Sequence, residues 1–411
     1  MKKKYIIITT ITLAVLIAFI TYSNILKGNE VYEEENISKP IKIAKGISMN
    51  LEQTAGTGDY LTVNQSEWPT EGYILNTELS KCENGGEISW STAKKKVVIL
   101  GNISDKCYIY FDKIAALTAY VKAKYTGSQG ENGIYYHDST LTNGAGDNSY
   151  RYAGPSDSVN NFVCFGSDET TCPTDNLYRI IGLINEKVKL IKYDCASRNL
   201  LGTNGEYPYN TTPPSTYQGA LTKIDYYTIN SSSESNVWSE SPLNKTSLNI
   251  NFINNIGATW ASKIISTTWK VGGNTDLNIS YAIPKTAYQY EIGSSASSTT
   301  YDAKIGLMYV SDYYYGASPN AWTLVGYNSS DATKDYRAAT STNWLFLGSA
   351  EWTISRYSDS TDRAFIVLSA GYVNSDYVYN SSYAVRPSFN LESSTTYVSG
   401  SGSMSDPVRI K

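Results

Sequence analysis

The sequence predicts a β-rich α+β protein. Three observations carry that prediction. Short apolar segments of about four to eight residues recur along most of the chain, bounded by Gly, Asn, Asp and Ser, which is the punctuation of strands and turns. Tyrosine supplies 36 residues against 8 Phe and 8 Trp, beside many Ser, Thr and Asn, and these side chains suit a pleated surface that is wet on one face. Helical spacing shows only over residues 114–124 and 248–264. With 411 residues, 41% of them hydrophobic and 18% charged, the chain is long and apolar enough to bury a core and to form more than one domain.

The first element is an apolar helix. Lys2, Lys3 and Lys4 precede an uncharged run over residues 5–26, closed by Lys27. As a helix these residues span about 33 Å, enough to cross a hydrocarbon core of about 30 Å. A cleavable signal has a shorter apolar stretch and a small-x-small site, and Ile20-Thr21-Tyr22-Ser23-Asn24 fits that poorly. A retained anchor over residues 1–27 is therefore expected, a secreted product being the alternative. Lysines before the helix and four glutamates in residues 30–36 place the N-terminus inside and the bulk outside the cell. Residues 28–47 read as a polar linker.

Residues 48–125 read as a small β module. Strands are expected at Tyr73-Ile74-Leu75, Glu87-Ile88-Ser89-Trp90, Lys96-Val97-Val98-Ile99-Leu100 and Cys107-Tyr108-Ile109-Tyr110-Phe111, followed by one connecting helix over residues 114–124. Residues 130–411 form the second domain. It opens with strands at 150–152, 161–165, 177–184 and 188–191, with Asn185-Glu186-Lys187 as a tight turn. After the helix at 248–264, strands are expected at 305–310, 344–347, 364–368 and 383–391, and a closing hairpin joins Tyr397-Val398 to Val408-Arg409-Ile410.

Charge and cysteine usage narrow the function. Lys plus Arg is 34 against 38 Asp plus Glu, a net charge of −4, so no basic surplus exists for nucleic acid. His137 is the single histidine, and no His/Cys ligand cluster occurs, so no metal, cofactor or catalytic residue is assigned. Five cysteines stand at 82, 107, 164, 172 and 195. Two disulfides, Cys82–Cys107 and Cys164–Cys172, would close loops worth about 3.5 and 2.6 kcal/mol and leave Cys195 over. Five reduced, buried thiols are the alternative.

Three stretches carry a resemblance: Asn148-Ser149-Tyr150-Arg151-Tyr152-Ala153-Gly154 with Asn176-Leu177-Tyr178-Arg179-Ile180-Ile181-Gly182; Glu351-Trp352-Thr353-Ile354-Ser355-Arg356; and Tyr383-Ala384-Val385-Arg386-Pro387-Ser388-Phe389-Asn390-Leu391. Together they resemble a domain of unknown function in surface proteins of gut-type Gram-positive bacteria. That resemblance covers residues 130–393 and implies a C-type-lectin-like head, in the variant shared with formylglycine-generating enzymes. The reactive late cysteine pair of those enzymes is missing, because no cysteine follows Cys195. The Glu-Pro-Asn and Trp-Asn-Asp tripeptides of calcium-dependent lectins are also missing, so no calcium cage is placed.

The working surface is expected within residues 356–382. Tyr357, Tyr372, Tyr377 and Tyr379 each offer a flat apolar face with a hydroxyl, and Asp359, Asn374, Asp376 and Asn380 add adaptable hydrogen bonds. The competing reading is ordinary exposed strand and turn residues in a tyrosine-rich protein. Asp312-Tyr313-Tyr314-Tyr315 is a weaker second cluster. Arg386, inside an apolar strand, is expected to be a buried structural cation paired with a carboxylate such as Glu351. Trp260, Trp269, Trp344 and Trp352 read as core, His137 as structural, and Lys94-Lys95-Lys96 as a solvated turn. The resulting expectation is a single-pass surface protein that binds an extracellular protein or glycan without chemistry. An extracellular enzyme on the formylglycine-generating scaffold and a purely structural envelope protein are the alternatives.

Overall fold

A computed structural model describes residues 46–64, 67–69, 72–91, 94–101 and 106–411. The apolar segment at 1–27 and the linker up to residue 45 lie outside the described residues. Among the described residues no helix is long and apolar enough to cross a membrane. The protein is β-rich, with several sheets.

The N-terminal sheet has four strands in the order β2 (Tyr60–Val63), β1 (Ile47–Glu52), β6 (Cys107–Lys113) and β3 (Tyr73–Cys82). β1 starts at Ile47, inside the stretch whose polarity reads as linker, and runs parallel to β6. Met49 and Leu51 of β1 share a face with Ile109 and Phe111 of β6, and all four are buried. A separate hairpin pairs β4 (Glu87–Ser91) with β5 (Lys96–Leu100); Lys94 and Lys95, the latter at φ 45°, lie in its turn, while Lys96 belongs to the strand and pairs with Ser91. The Cys82–Cys107 disulfide joins the ends of β3 and β6.

The junction to the next sheet is shorter than its amphipathic pattern suggests. Residues 114–124 divide into β7 (Ala115–Ala116) and helix α1 (Leu117–Ala123), which buries Leu117, Tyr120 and Val121. β7 pairs with β23 (Thr396–Ser399), which also pairs with β24 (Arg409–Ile410). The end of the chain thus returns to the junction, where Tyr397 stacks on Tyr120 with ring centroids 4.1 Å apart. Gly56 lets the backbone of the β1–β2 connection approach them: it has φ +75°, and a Cβ there would fall 2.6 Å from the Tyr397 hydroxyl.

The central sheet runs β18 (Ile305–Gly306), β22 (Ser388–Asn390), β12 (Lys187–Lys192), β11 (Leu177–Ile184), β9 (Ser149–Tyr152) and β8 (Ile134–His137), with β10 (Phe162–Cys164) also pairing to β11. β11 and β12 are buried on both faces, which places Arg179 of β11 and Lys189 and Lys192 of β12 out of water. Asn185 and Glu186 join them with φ values of 50° and 57°, a two-residue turn of the primed type that matches strand twist. Small antiparallel pairs, β13 (Tyr209–Thr211) with β14 (Ile224–Tyr226) and β15 (Thr267–Lys270) with β17 (Thr300–Ala303), lie in the long connections. The last sheet has the order β16 (Gly273–Asn274), β19 (Glu351–Tyr357), β20 (Arg363–Val367) and β21 (Val373–Tyr377).

Four segments differ from the periodicity reading. Leu243–Phe252 winds as a π-helix, and Gly257 at φ 82° then breaks the helix, so one continuous helix over 248–264 does not form. Only Ile305–Gly306 of the expected strand at 305–310 pairs. Asp312 accepts a hydrogen bond from the Tyr309 amide and starts helix α2 (Val310–Tyr315) instead. Residues 344–347 are buried but not a strand, since the Asn343 side chain accepts from the Leu345 amide and makes a turn. In 383–391 only Ser388–Asn390 forms a strand; Tyr383, Ala384 and Leu391 make isolated bridges, and Pro387 just ahead of the strand has no N–H to donate.

Candidate functional site

The stretch at 356–382 alternates strand and turn, taking in the end of β19, all of β20 and β21, and the connections between them. β21 is the outer strand, and its register pairs Arg363 with Tyr377, Phe365 with Ser375 and Val367 with Val373. Val373 and Ser375 are buried on the face they share with Tyr377. Tyr357 at the end of β19 lies on that face too, with its ring edge-on to Phe365 at 5.5 Å. Tyr357, Arg363 and Tyr377 therefore form a row across three adjacent strands, all of them half-buried.

Each member of the row is held. The Arg363 guanidinium sits 4.1 Å from the Tyr377 ring centroid, and hydrogen bonding to Tyr377 raises its pKa. Tyr379 packs edge-on to Tyr377 at 5.7 Å. Tyr357 donates its hydroxyl to Asp276 at 3.1 Å, and burial, reinforced by that carboxylate, pushes its pKa up to about 12. The turn between β19 and β20 is clamped by Asn236, whose amide nitrogen lies 2.8, 3.0 and 2.7 Å from the carbonyls of Tyr357, Ser360 and Arg363. Asp359 stands exposed on this turn and accepts from Ser358 at 3.1 Å.

The remaining candidates divide. Asn374 is exposed and Asp376 half-buried, both on the opposite face of β21. Asp376 accepts from the Tyr383 hydroxyl, and Tyr383 rests on Trp352 at 4.9 Å. Tyr372 lies at the other end of β21, five residues or about 17 Å from Tyr377, against Tyr327 at 4.9 Å and Arg337 at 5.2 Å. Asn380 is exposed beyond the strand. The structure thus gathers Tyr357, Asp359, Tyr377 and Tyr379 at one end of the sheet and leaves Tyr372, Asn374 and Asp376 apart from them. Arg363, central to the row, was missed; its position between two tyrosines appears only when strand register is known.

The weaker cluster is core. Asp312, Tyr313, Tyr314 and Tyr315 are all buried on α2, and Asp312 accepts from Lys189 at 2.5 Å and Arg151 at 3.4 Å. Arg386 is buried and donates to Glu351 at 2.6 and 2.7 Å and to the Leu345 carbonyl at 2.8 Å. Trp260, Trp269, Trp344 and Trp352 are buried. The Cys82–Cys107 and Cys164–Cys172 disulfides both form. Cys195 is a buried free cysteine, and burial pushes its thiol pKa well up, against nucleophilic use. His137 is buried too. Its Nδ1 accepts from the Ala145 amide at 3.1 Å, Tyr315 and Trp322 surround its ring, and burial pushes its pKa down to about 3. Asp138 is turned away to cap Thr140. Among the described residues no group of three or more His, Cys, Asp or Glu is placed to hold a metal ion.

The fold and site define a β-rich, disulfide-containing protein with a half-exposed tyrosine–arginine row at a sheet edge. No protein-family model, curated protein or solved structure matches the chain.

Proposed function

We propose that the chain is an extracellular binding protein, held at the cell membrane by its N-terminal segment, whose C-type-lectin-like head captures a protein or glycan non-covalently at residues 356–382. The observation that carries the reading is the row Tyr357–Arg363–Tyr377 with Tyr379 beside it. Its rings and guanidinium are fixed by packing before any ligand arrives, so little rotamer entropy is lost on binding. Two disulfides support an oxidising location. The buried, high-pKa Cys195 favours binding over the enzyme reading.

The test is an array of glycans and surface proteins probed with the detergent-solubilised full chain. Replacing Tyr377 and Tyr379 together with Ala should abolish capture of the array ligand and leave the melting temperature within a few degrees of wild type. Unchanged capture by the double variant sinks the reading.

A further inference from the structure

A second concave surface lies away from the tyrosine–arginine row. A cleft of about 1060 Å³ opens between the N-terminal sheet, the Cys164–Cys172 loop, Trp260 and the closing hairpin, and shares no residue with the row. Binding cavities of about 300–1,000 Å³ hold drug-sized ligands, so this cleft has room for a chain of several sugar units.

One wall carries a polar cluster fixed in place. Asp112 is 8% exposed and accepts from the Tyr60 hydroxyl. Asn76 donates to the two Asp112 oxygens at 3.0 and 3.1 Å and to Tyr60 at 3.3 Å. The Tyr60 ring is braced edge-on against Tyr110 at 5.1 Å. A recessed carboxylate, an amide and an aromatic face side by side are the groups that read a polyhydroxylated ring, accepting from its hydroxyls and packing on its C–H face. The opposite wall is equally fixed. The loop at 164–172 is closed by its disulfide, and Arg409 holds its Thr170 carbonyl at 2.6 Å.

Charge selects within that class. Glu78, Asp168 and Glu169 are exposed on the cleft, and no hydrogen bond to their carboxylates is seen among the described residues. Three cationic side chains also line it, Lys263, Arg409 and Lys411; Arg409 donates to the Thr170 carbonyl, Lys263 lies over Trp260 at 5.9 Å, and the six lining carboxylates (Glu52, Glu78, Asp112, Asp168, Glu169 and Asp406) outnumber them. A uronate or phosphate polymer would meet uncompensated like charge.

We infer that this cleft binds a non-anionic oligosaccharide chain, with Tyr60, Asn76 and Asp112 as its hydroxyl-reading group. The probes are cellohexaose and chitohexaose, with polygalacturonate and poly-lysine as comparisons, titrated calorimetrically into the detergent-solubilised full chain. A neutral hexasaccharide is expected to bind and polygalacturonate to fail. Asn76→Ala should weaken the saccharide about tenfold. Thr77→Trp, at an exposed position on the same wall, should block the cleft without touching the core. The Tyr377/Tyr379 double alanine variant should bind the saccharide as wild type does, which separates this site from the first. Binding of neither hexasaccharide, binding of poly-lysine alone, or saccharide binding unchanged by Thr77→Trp overturns the inference.

Discussion

Arg151, Arg179 and Arg386 are each buried, and each meets acceptors that its fork can reach. Arg151 pairs with Asp147 at 2.8 Å. Arg179 donates to Asn161 at 2.6 Å, Ser156 at 2.7 Å and the Val159 carbonyl at 2.8 Å, with Phe162 and Trp344 on its faces. Arg386 grips Glu351 with two parallel hydrogen bonds, a geometry lysine cannot reproduce. Removing one partner leaves a buried charge alone. Arg386→Ala should therefore cost about 3–5 kcal/mol in urea unfolding, and the double variant Arg386→Met with Glu351→Leu should cost distinctly less. Equal losses in the two proteins would refute the pairing argument.

At the scale of elements, the two ends of the N-terminal sheet are held differently. The return of β23 to β7 fixes its C-terminal side through backbone pairing and the Tyr120–Tyr397 stack. The other side is closed by Cys82–Cys107, a loop of sequence separation 25. Cross-linking such a loop is worth about 3.5 kcal/mol in the chain-entropy account. Replacing both cysteines with Ser should lower stability by about 2–5 kcal/mol in denaturant unfolding, and dithiothreitol should bring the wild type toward the same value. A variant as stable as wild type would show that packing alone holds this sheet.

Across the whole molecule, stability should depend on pH through groups far from any surface. Glu291 is buried at the start of α2, where it accepts from the amides of Val310 at 3.0 Å and Ser311 at 2.8 Å. Burial outweighs these bonds and pushes its pKa up to about 7, from an ordinary value of 4.5. The unfolded chain ionises this group above pH 4.5, while the folded chain resists until about 7. Its contribution is complete below pH 4.5 and is lost as pH rises through 7. Glu291→Gln should flatten the fall in melting temperature between pH 5 and 8; an unchanged slope would clear Glu291 of this role. His137 has the opposite sign. With its folded pKa near 3 against an ordinary 6.5, it withdraws stability as pH falls from 6.5 toward 3.

Local patterns that depend on neighbours in sequence were legible in this chain. Alternation and turn residues marked β3 to β6, β11, β12 and β20, and Asn185-Glu186 marked its hairpin, because backbone conformation and face alternation are set within a few residues. The cysteine spacings were legible, and so was Arg386 as a lone basic residue in an apolar segment, because a buried cation needs a partner wherever the chain supplies one. Properties that depend on strands meeting from distant sequence were not legible. The tyrosines of residues 313–315 and 357–379 are alike in composition, yet the first group is buried on α2 in the core and the second is half-buried along the last sheet. Arg363 joined the row only through its pairing with Tyr377, and Tyr60, Asn76 and Asp112 met only through the ladders of β1, β3 and β6. The amino-acid sequence by itself determined which residues could form strands, turns and disulfides. Tertiary pairing alone decided which tyrosines stay half in water, because burial is a property of the neighbours a side chain meets and not of the side chain itself.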